Sequence, residues 1–275
     1  LRPKKFSLAK FKKMDKLDDN LTQISIKLSK GTLCTEGDYI SILPKNPKKY
    51  VDAAITYLQY DRNDVYKIKS ADHSSFIPEI VSIKQLFEQY LNLSCPPNRE
   101  LIKSFAEIAK EEGKSLLNAA LDNLNNGEEG QQQKKSNDGI NNIVDFFEAY
   151  AQYGVPPLEK IITCCPKIQP RTFSIMKFAG QVATIIGLKN LFTVKSKDNE
   201  DIVREGLCSS FISEYQEVFA RNDEDAISEL PKVAVKVKVG MLKYPESPAT
   251  PLILIACGLG ASSILMNLNH REQIM

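Results

Sequence analysis

Hydrophobic positions along this chain follow one period near its two ends and another in the middle. Ile24, Ile26 and Leu28 alternate with polar residues, as one face of a half-buried strand requires. Ile40, Ile42 and the neighbouring Leu43 continue that pattern after a Gly37-Asp38 turn. Beyond Pro47 the spacing becomes helical, first at Val51, Ile55 and Leu58, then at Ile83, Leu86, Phe87, Tyr90 and Leu91 behind a Ser82-to-Gln85 capping box. Leu101, Ile102, Phe105, Ile108 and Ala109 predict a further helix, and Leu116, Leu117, Ala120, Leu121 and Leu124 predict another. Val144, Phe147, Tyr150 and Ala151 mark the next, which Pro156-Pro157 closes. From Arg171 strands return, including Leu191 to Val194 and the alternating Val233, Val235, Val237 and Val239. Residues 122–142 are rich in Asn, Gln, Gly and charge and predict a surface loop that carries no chemistry. The expected organisation is an antiparallel strand domain split by a helical insert.

Composition changes this picture little. With 275 residues, 43% hydrophobic and 25% charged, the chain can bury a substantial core and is expected to hold two structural units. A net charge of +2 gives no reason to expect nucleic acid. Residues 1–16 contain seven Lys or Arg against one Asp, read as a solvated lead-in to the first strand, with docking of an acidic partner domain as the sharper alternative. Six cysteines without Cys-x-x-Cys spacing and two histidines, His73 and His270, argue against zinc. The adjacent Cys164 and Cys165 read as buried thiols of a reducing, cytoplasmic setting. Residues 247–269 carry no charge, but Gly258, Gly260, Ser262, Ser263 and Asn267 interrupt the run. A buried strand, a glycine turn and a helix start are therefore expected there rather than a membrane segment. The chain opens on Leu1 without a signal peptide and reads as a piece of a longer polypeptide.

Two short stretches carry the candidate chemistry. Arg171-Thr172-Phe173-Ser174 sets a guanidinium, a flat fork of donors suited to a pyrophosphate, two residues from an aromatic ring that can lie against a planar heterocycle. The Ser174 hydroxyl falls beside that ring. The second stretch, Gly206-Leu207-Cys208-Ser209, starts 35 positions later and opens an amphipathic helix marked by Phe211, Tyr215, Val218 and Phe219. A small-residue turn entering a helix presents free backbone N–H groups and the positive dipole end to phosphates. Together the two stretches read as a flavin site.

In order and spacing these stretches resemble the FAD-binding region of the NADPH-dependent diflavin reductases. Further matches lie at Thr35 to Pro44, at Tyr90 to Leu93 with Pro96-Pro97, at Val155 to Leu158 with Cys165 to Pro170, and at Thr250 to Ile255. The resemblance implies a six-stranded antiparallel flavin-binding barrel, with residues 1–46 and 158–245 as its halves and 47–157 as an all-helical connecting insert. Residues 246–275 would then begin a nucleotide-binding α/β domain with its first βα unit. By the same resemblance Arg171 holds the FAD pyrophosphate, Phe173 packs on the flavin, Ser174 lies near its reactive nitrogen, and Gly206 to Ser209 close over the pyrophosphate. Leu191 and Phe192 occupy the flavin-flanking strand, and Gly258 and Gly260 the nicotinamide-side turn. The implied cofactors are FAD, with NADPH and FMN in the intact parent, and the implied partners are an FMN-binding flavodoxin-like domain and a redox protein acceptor.

Departures from the family pattern also stand in the chain. Phe173 replaces a common tyrosine, Met176 and Lys177 replace small residues and either crowd the flavin edge or turn outward, and Leu259 and Ser263 depart from the nucleotide turn. With a single strand and helix of that domain, the chain alone is not expected to turn over NADPH. A divergent interaction scaffold that binds no flavin is the competing reading, and a single-flavin reductase of the ferredoxin reductase type is a third, weakened by the long insert.

Overall fold

The computed structural model describes residues 6–35, 37–68, 77–125, 140–195, 200–240, 247, 249–255, 264 and 268. Its elements in chain order are β1 (Ser7–Lys16), β2 (Leu21–Lys27), β3 (Tyr39–Leu43), α1 (Lys48–Tyr57), β4 (Val65–Lys67), β5 (Ile80–Ser82), α2 (Ile83–Gln89), α3 (Arg99–Ala106), α4 (Glu111–Asn125) and α5 (Ile143–Tyr150). Then follow α6 (Leu158–Cys164), β6 (Arg171–Ser174), β7 (Lys177–Ala179), β8 (Val182–Leu188), β9 (Leu191–Lys195), β10 (Asp201–Glu205), α7 (Leu207–Ala220), α8 (Glu224–Glu229) and β11 (Val233–Lys238). The chain divides into two compact units, one of Leu1–Pro44, Pro170–Asn190 and Cys208–Met275, the other of Lys45–Gln169 and Leu191–Leu207.

The first unit is built on a seven-stranded antiparallel sheet in the order β6-β3-β11-β1-β2-β8-β7. β1 is shared between two ladders: Ser7 to Ala9 pair with β11, while Lys10 to Lys16 pair with β2. The register slips between Phe11 and Lys13, and such a bulge bends a strand and increases its twist. The sheet curls as a result. Its two edges, β6 and β7, follow each other in sequence, and the link between them crosses within two residues. Ile175 N–H donates to the Asp38 carbonyl on one edge and Met176 N–H to the Thr184 carbonyl on the other, both at 2.8 Å. No ladder joins β6 to β7, so the expected closed, six-stranded barrel is here a curled, open sheet of seven strands.

Alternation decides which side is core. Ile24, Ile26, Ile40, Ile42, Ala183, Ile185 and Val235 point inward and bury completely, and α7 packs on them through Cys208, Phe211, Ile212 and Tyr215. The Phe11 and Tyr215 rings meet edge to face at 4.8 Å, and the Tyr215 hydroxyl donates to the Pro231 carbonyl at 3.1 Å. The apolar period around Phe211 is thus the face of α7 that covers the sheet.

The second unit is helical, with Phe87, Phe105, Phe146, Phe147, Leu86, Leu91 and Leu93 at its centre. The capping box at Ser82 forms as its sequence predicts: Ser82 Oγ accepts from Gln85 N–H at 3.2 Å, and Gln85 Oε1 accepts from Ser82 N–H. Asn46, almost completely buried, donates to the Phe87 and Leu91 carbonyls at 2.6 and 2.5 Å and accepts from Leu93 N–H at 3.2 Å. One amide therefore closes the C-terminal end of α2, where helix carbonyls lack internal partners. The approach to Arg171, read in sequence as part of the strand domain, forms α6 instead and packs Leu158 and Ile161 into the helical core. Lys167 explains where that helix stops, since its ammonium donates to the Ile162 and Cys165 carbonyls.

The hairpin β9–β10 also groups with the helical unit rather than with the sheet. Arg204 on β10 reaches Asp145 in the first turn of α5 at 3.3 Å, and this pair holds the hairpin. In the stretch predicted as a loop, α4 runs on through Asn125 and Asn142 caps α5, while residues 126–139 lie outside the described residues. Thr250 to Ile255, expected as a first strand of a nucleotide domain, joins no ladder among the described residues, and Ile253 and Ile255 are 93% and 90% exposed. A strand exists only through hydrogen bonds to a neighbour, and no described segment supplies one. Among the described residues no helix is long and apolar enough to cross a membrane.

Candidate functional site

β6 lies at an edge of the sheet, paired on one side with β3: Arg171 opposes Ile42, Thr172 opposes Ser41, Phe173 opposes Ile40 and Ser174 opposes Tyr39. The period of two sorts its four residues. Arg171 and Phe173 share the rows of Ile42–Val235 and Ile40–Val237, on the side that α7 covers. Phe173 is half-buried against the core, while Arg171 stays exposed at the margin. Thr172 and Ser174 share the opposite rows with Ser41–Lys236 and Tyr39–Lys238. There Thr172 Oγ1 and the buried Ser41 Oγ lie 2.8 Å apart in a hydroxyl pair. Thr172 thus uses its hydroxyl to fix β6 on β3.

Cys208, in the first turn of α7, is buried, and burial pushes its thiol up from 9.0 to about 12, while the positive charge of Arg171 acts in the opposite direction. Ser209 is anchored beside it, its hydroxyl accepting from Asn190 N–H at 2.8 Å. Because that side chain is already engaged, what the helix entrance can offer an anion is its backbone N–H groups, unpaired in any first helical turn. An exposed guanidinium with an aromatic face two residues on, and the N-terminus of α7, are the kinds of group that suit a dinucleotide pyrophosphate with a flat ring attached.

Of the residues predicted from sequence, Arg171, Thr172, Phe173, Ser174, Cys208 and Ser209 belong to the sheet unit. Leu191, Phe192, Gly206 and Leu207 belong to the helical unit. Leu191 is 41% exposed on the outer face of its hairpin, while Phe192, paired with Arg204, is half-buried on the other. Gly258 and Gly260 lie outside the described residues. Lys177 is exposed and falls in the outer row with Thr184, so it turns outward rather than toward the core.

Sequence reasoning missed Asp38, which it read only as part of a turn. Its carboxylate accepts from Thr35 N–H and Gly240 N–H, both at 2.8 Å, and from the Thr35 hydroxyl at 3.2 Å. A signal was available in the chain, since an Asp after Gly at a strand start is a residue type that satisfies turn N–H groups. Its third partner, 202 positions away, was not.

The chain belongs to the FAD binding domain family, whose model matches residues 16–211. Among curated relatives it is 22% identical over 240 residues to NADPH–cytochrome P450 reductase of Drosophila melanogaster, covering 86% of this chain and 34% of that protein. It is 24% identical over 277 residues to NADPH-dependent diflavin oxidoreductase 1 of Danio rerio, covering 96% and 42%. To the bifunctional cytochrome P450/NADPH–P450 reductase 2 of Bacillus subtilis it is 23% identical over 250 residues, covering 86% and 21%. The chain thus spans between a fifth and about two fifths of the length of these relatives.

Proposed function

We propose that this chain is the FAD-binding module of an NADPH-dependent diflavin oxidoreductase with cytoplasmic chemistry. When bound, FAD would take a hydride from NADPH and pass electrons singly to the FMN of a flavodoxin-like domain, and on to a haem or other redox protein acceptor. In this reading Arg171 neutralises the pyrophosphate, the first turn of α7 adds backbone N–H donors to it, and Phe173 offers its ring to the flavin. Ser174 sets a hydroxyl at the flavin's reactive nitrogen. The resemblance assigns Leu191 and Phe192 to the strand that flanks the flavin, and Gly258 and Gly260, outside the described residues, to the nicotinamide side. The curled sheet corresponds to the family's flavin barrel, residues 47–157 to its connecting insert, and 246–275 to the start of its nucleotide domain.

The observation that carries this reading is the shared side of Arg171 and Phe173 on β6, within the stretch that matches the FAD binding domain family. A scaffold that binds no flavin has no need of an exposed arginine on the same side of an edge strand as a half-buried aromatic ring. FAD titration followed by flavin fluorescence, on wild type beside Arg171→Ala, tests it. Wild type should bind and turn yellow, and the variant should lose about ten- to a hundredfold in affinity, the worth of a charge-assisted hydrogen bond of about 1.5–3 kcal/mol. Colourless wild type at saturating FAD, or equal binding by the two proteins, overturns the proposal.

A further inference from the structure

We propose that Asp38 is a positioning residue for the flavin site, holding the Ser174 end of β6 in place. The inference rests on the flavin reading of Arg171 to Ser174 and adds to it a residue outside both stretches.

Asp38 is only 9% exposed, and both of its carboxylate oxygens are used. Oδ2 accepts from Thr35 N–H at 2.8 Å and from the Thr35 hydroxyl at 3.2 Å, and Oδ1 accepts from Gly240 N–H at 2.8 Å. Its main chain holds a third segment: the Asp38 carbonyl accepts from Ile175 N–H at 2.8 Å, and Gly37 N–H donates to the Ile175 carbonyl at 3.1 Å. One residue therefore joins the turn before β3, the residue that follows Ser174, and Gly240, two residues beyond β11. The fit is tight. Gly37 takes φ +87°, a left-handed conformation that glycine adopts at no steric cost, and a Cβ on Gly240 would overlap the Gly37 carbonyl oxygen.

This knot sits where strand alternation makes Ser174 sensitive. Arg171 and Phe173 share one side of β6 and Ser174 falls on the other, so its hydroxyl reaches a ligand of Phe173 only around the end of the strand. The path of the chain at Ile175 sets that reach, and Ile175, completely buried, is held by Asp38 and Gly37. Arg171 is fixed separately, at the far end of β6, by its register with Ile42. Loss of the carboxylate should therefore disturb what Ser174 does and spare what Arg171 does.

A double-mutant cycle in the whole chain reconstituted with FAD separates these roles. Wild type, Asp38→Ala, Ser174→Ala and the double variant are compared by FAD affinity and by the ratio of reduced to oxidised flavin at equilibrium with a reference dye. Asp38→Ala should bind FAD within about threefold of wild type, and both single variants should shift the flavin ratio by about tenfold, the size of one hydrogen bond. The double variant should match Ser174→Ala alone. Additive shifts in the double variant, or a wild-type ratio in Asp38→Ala, overturn the inference while leaving the flavin site standing. Asp38→Asn keeps an acceptor in the turn, and serves where the alanine variant does not fold: it should shift the ratio in the same direction in wild type and leave it unchanged in the Ser174→Ala background, and any other result counts against Asp38. Wild type that takes up no FAD removes the flavin reading itself, and this inference with it.

Discussion

Cys208 shows how one side chain reports on its surroundings. Its thiol sits in the first turn of α7, a place where the helix dipole and the nearby Arg171 favour a thiolate, yet burial dominates and pushes it up to about 12. Cys95, in the helical unit, is pushed up to about 11 by the same cause. The sign for stability follows from linkage. Folded thiols keep their protons to higher pH than the unfolded chain, whose thiols ionise near 9.0, so the stability present below that pH is lost as pH rises through 9 toward 11 or 12. The urea midpoint is accordingly expected to fall across that range, and Cys208→Ala should flatten the fall. Native protein at neutral pH should also resist alkylation at Cys208, with reaction appearing on unfolding. The Ser41–Thr172 pair belongs at this scale too, because the sequence presented Thr172 as a ligand contact and gave no hint of a buried hydroxyl 131 positions earlier.

Among the elements, the β9–β10 hairpin depends on a tether. A two-stranded ribbon is at best marginal in water, and Leu191 and Val203, 41% and 67% exposed, contribute little burial on its outer face. Its inner residues Phe192, Val194, Ile202 and Arg204 are half-buried, and the Arg204–Asp145 pair, with side chains 23% and 19% exposed, fixes it to the start of α5. Asp145 also accepts from Asn141 N–H at 3.0 Å, so the pair secures the helix entrance as well. Arg204→Ala should cost about 1–2 kcal/mol, between the values of exposed and buried ion pairs. Hydrogen exchange is the direct measure: amides of β9 and β10 should exchange faster, and those of β2 and β8 at their former rate. The strands themselves were legible in the chain, since Leu191 to Val194 carries the residue types of a ribbon. Which unit the ribbon joined was not, because its partners, Asp145 among them, lie far away in the chain.

Across the whole molecule two separate cores form, one of aliphatic residues between the sheet and α7, the other aromatic and helical. Phe105 stands at the centre of the second, completely buried, with Phe146 edge-on at 5.0 Å and Phe147 stacked at 5.8 Å. Phe105→Ala should cost about 3–5 kcal/mol in a denaturant titration, through lost burial and the cavity left behind. Exchange protection should drop first in α3, α5 and α6, whereas Ile24→Ala should act first on β1, β2 and β8. Equal loss in both units from either substitution would show one cooperative core instead of two.

Local pattern determined most of the inventory in this chain: the alternating isoleucines of β2 and β3, the capping box of α2, the apolar face of α7 and the split of strands around helices are all consequences of neighbours within a few residues. Only the tertiary structure decided the rest. Arg171 and Phe173 share a side with α7 because β6 takes its register from β3, which lies some 130 positions earlier. β1 changes partner between Ala9 and Lys10, two residues before its bulge, and no ladder joins β6 to β7; Thr250 to Ile255 pairs with no strand among the described residues. The physical reason is the same in each case: periodicity specifies which face is apolar, whereas pairing, register and buried polar partners depend on groups that come together only when distant segments pack.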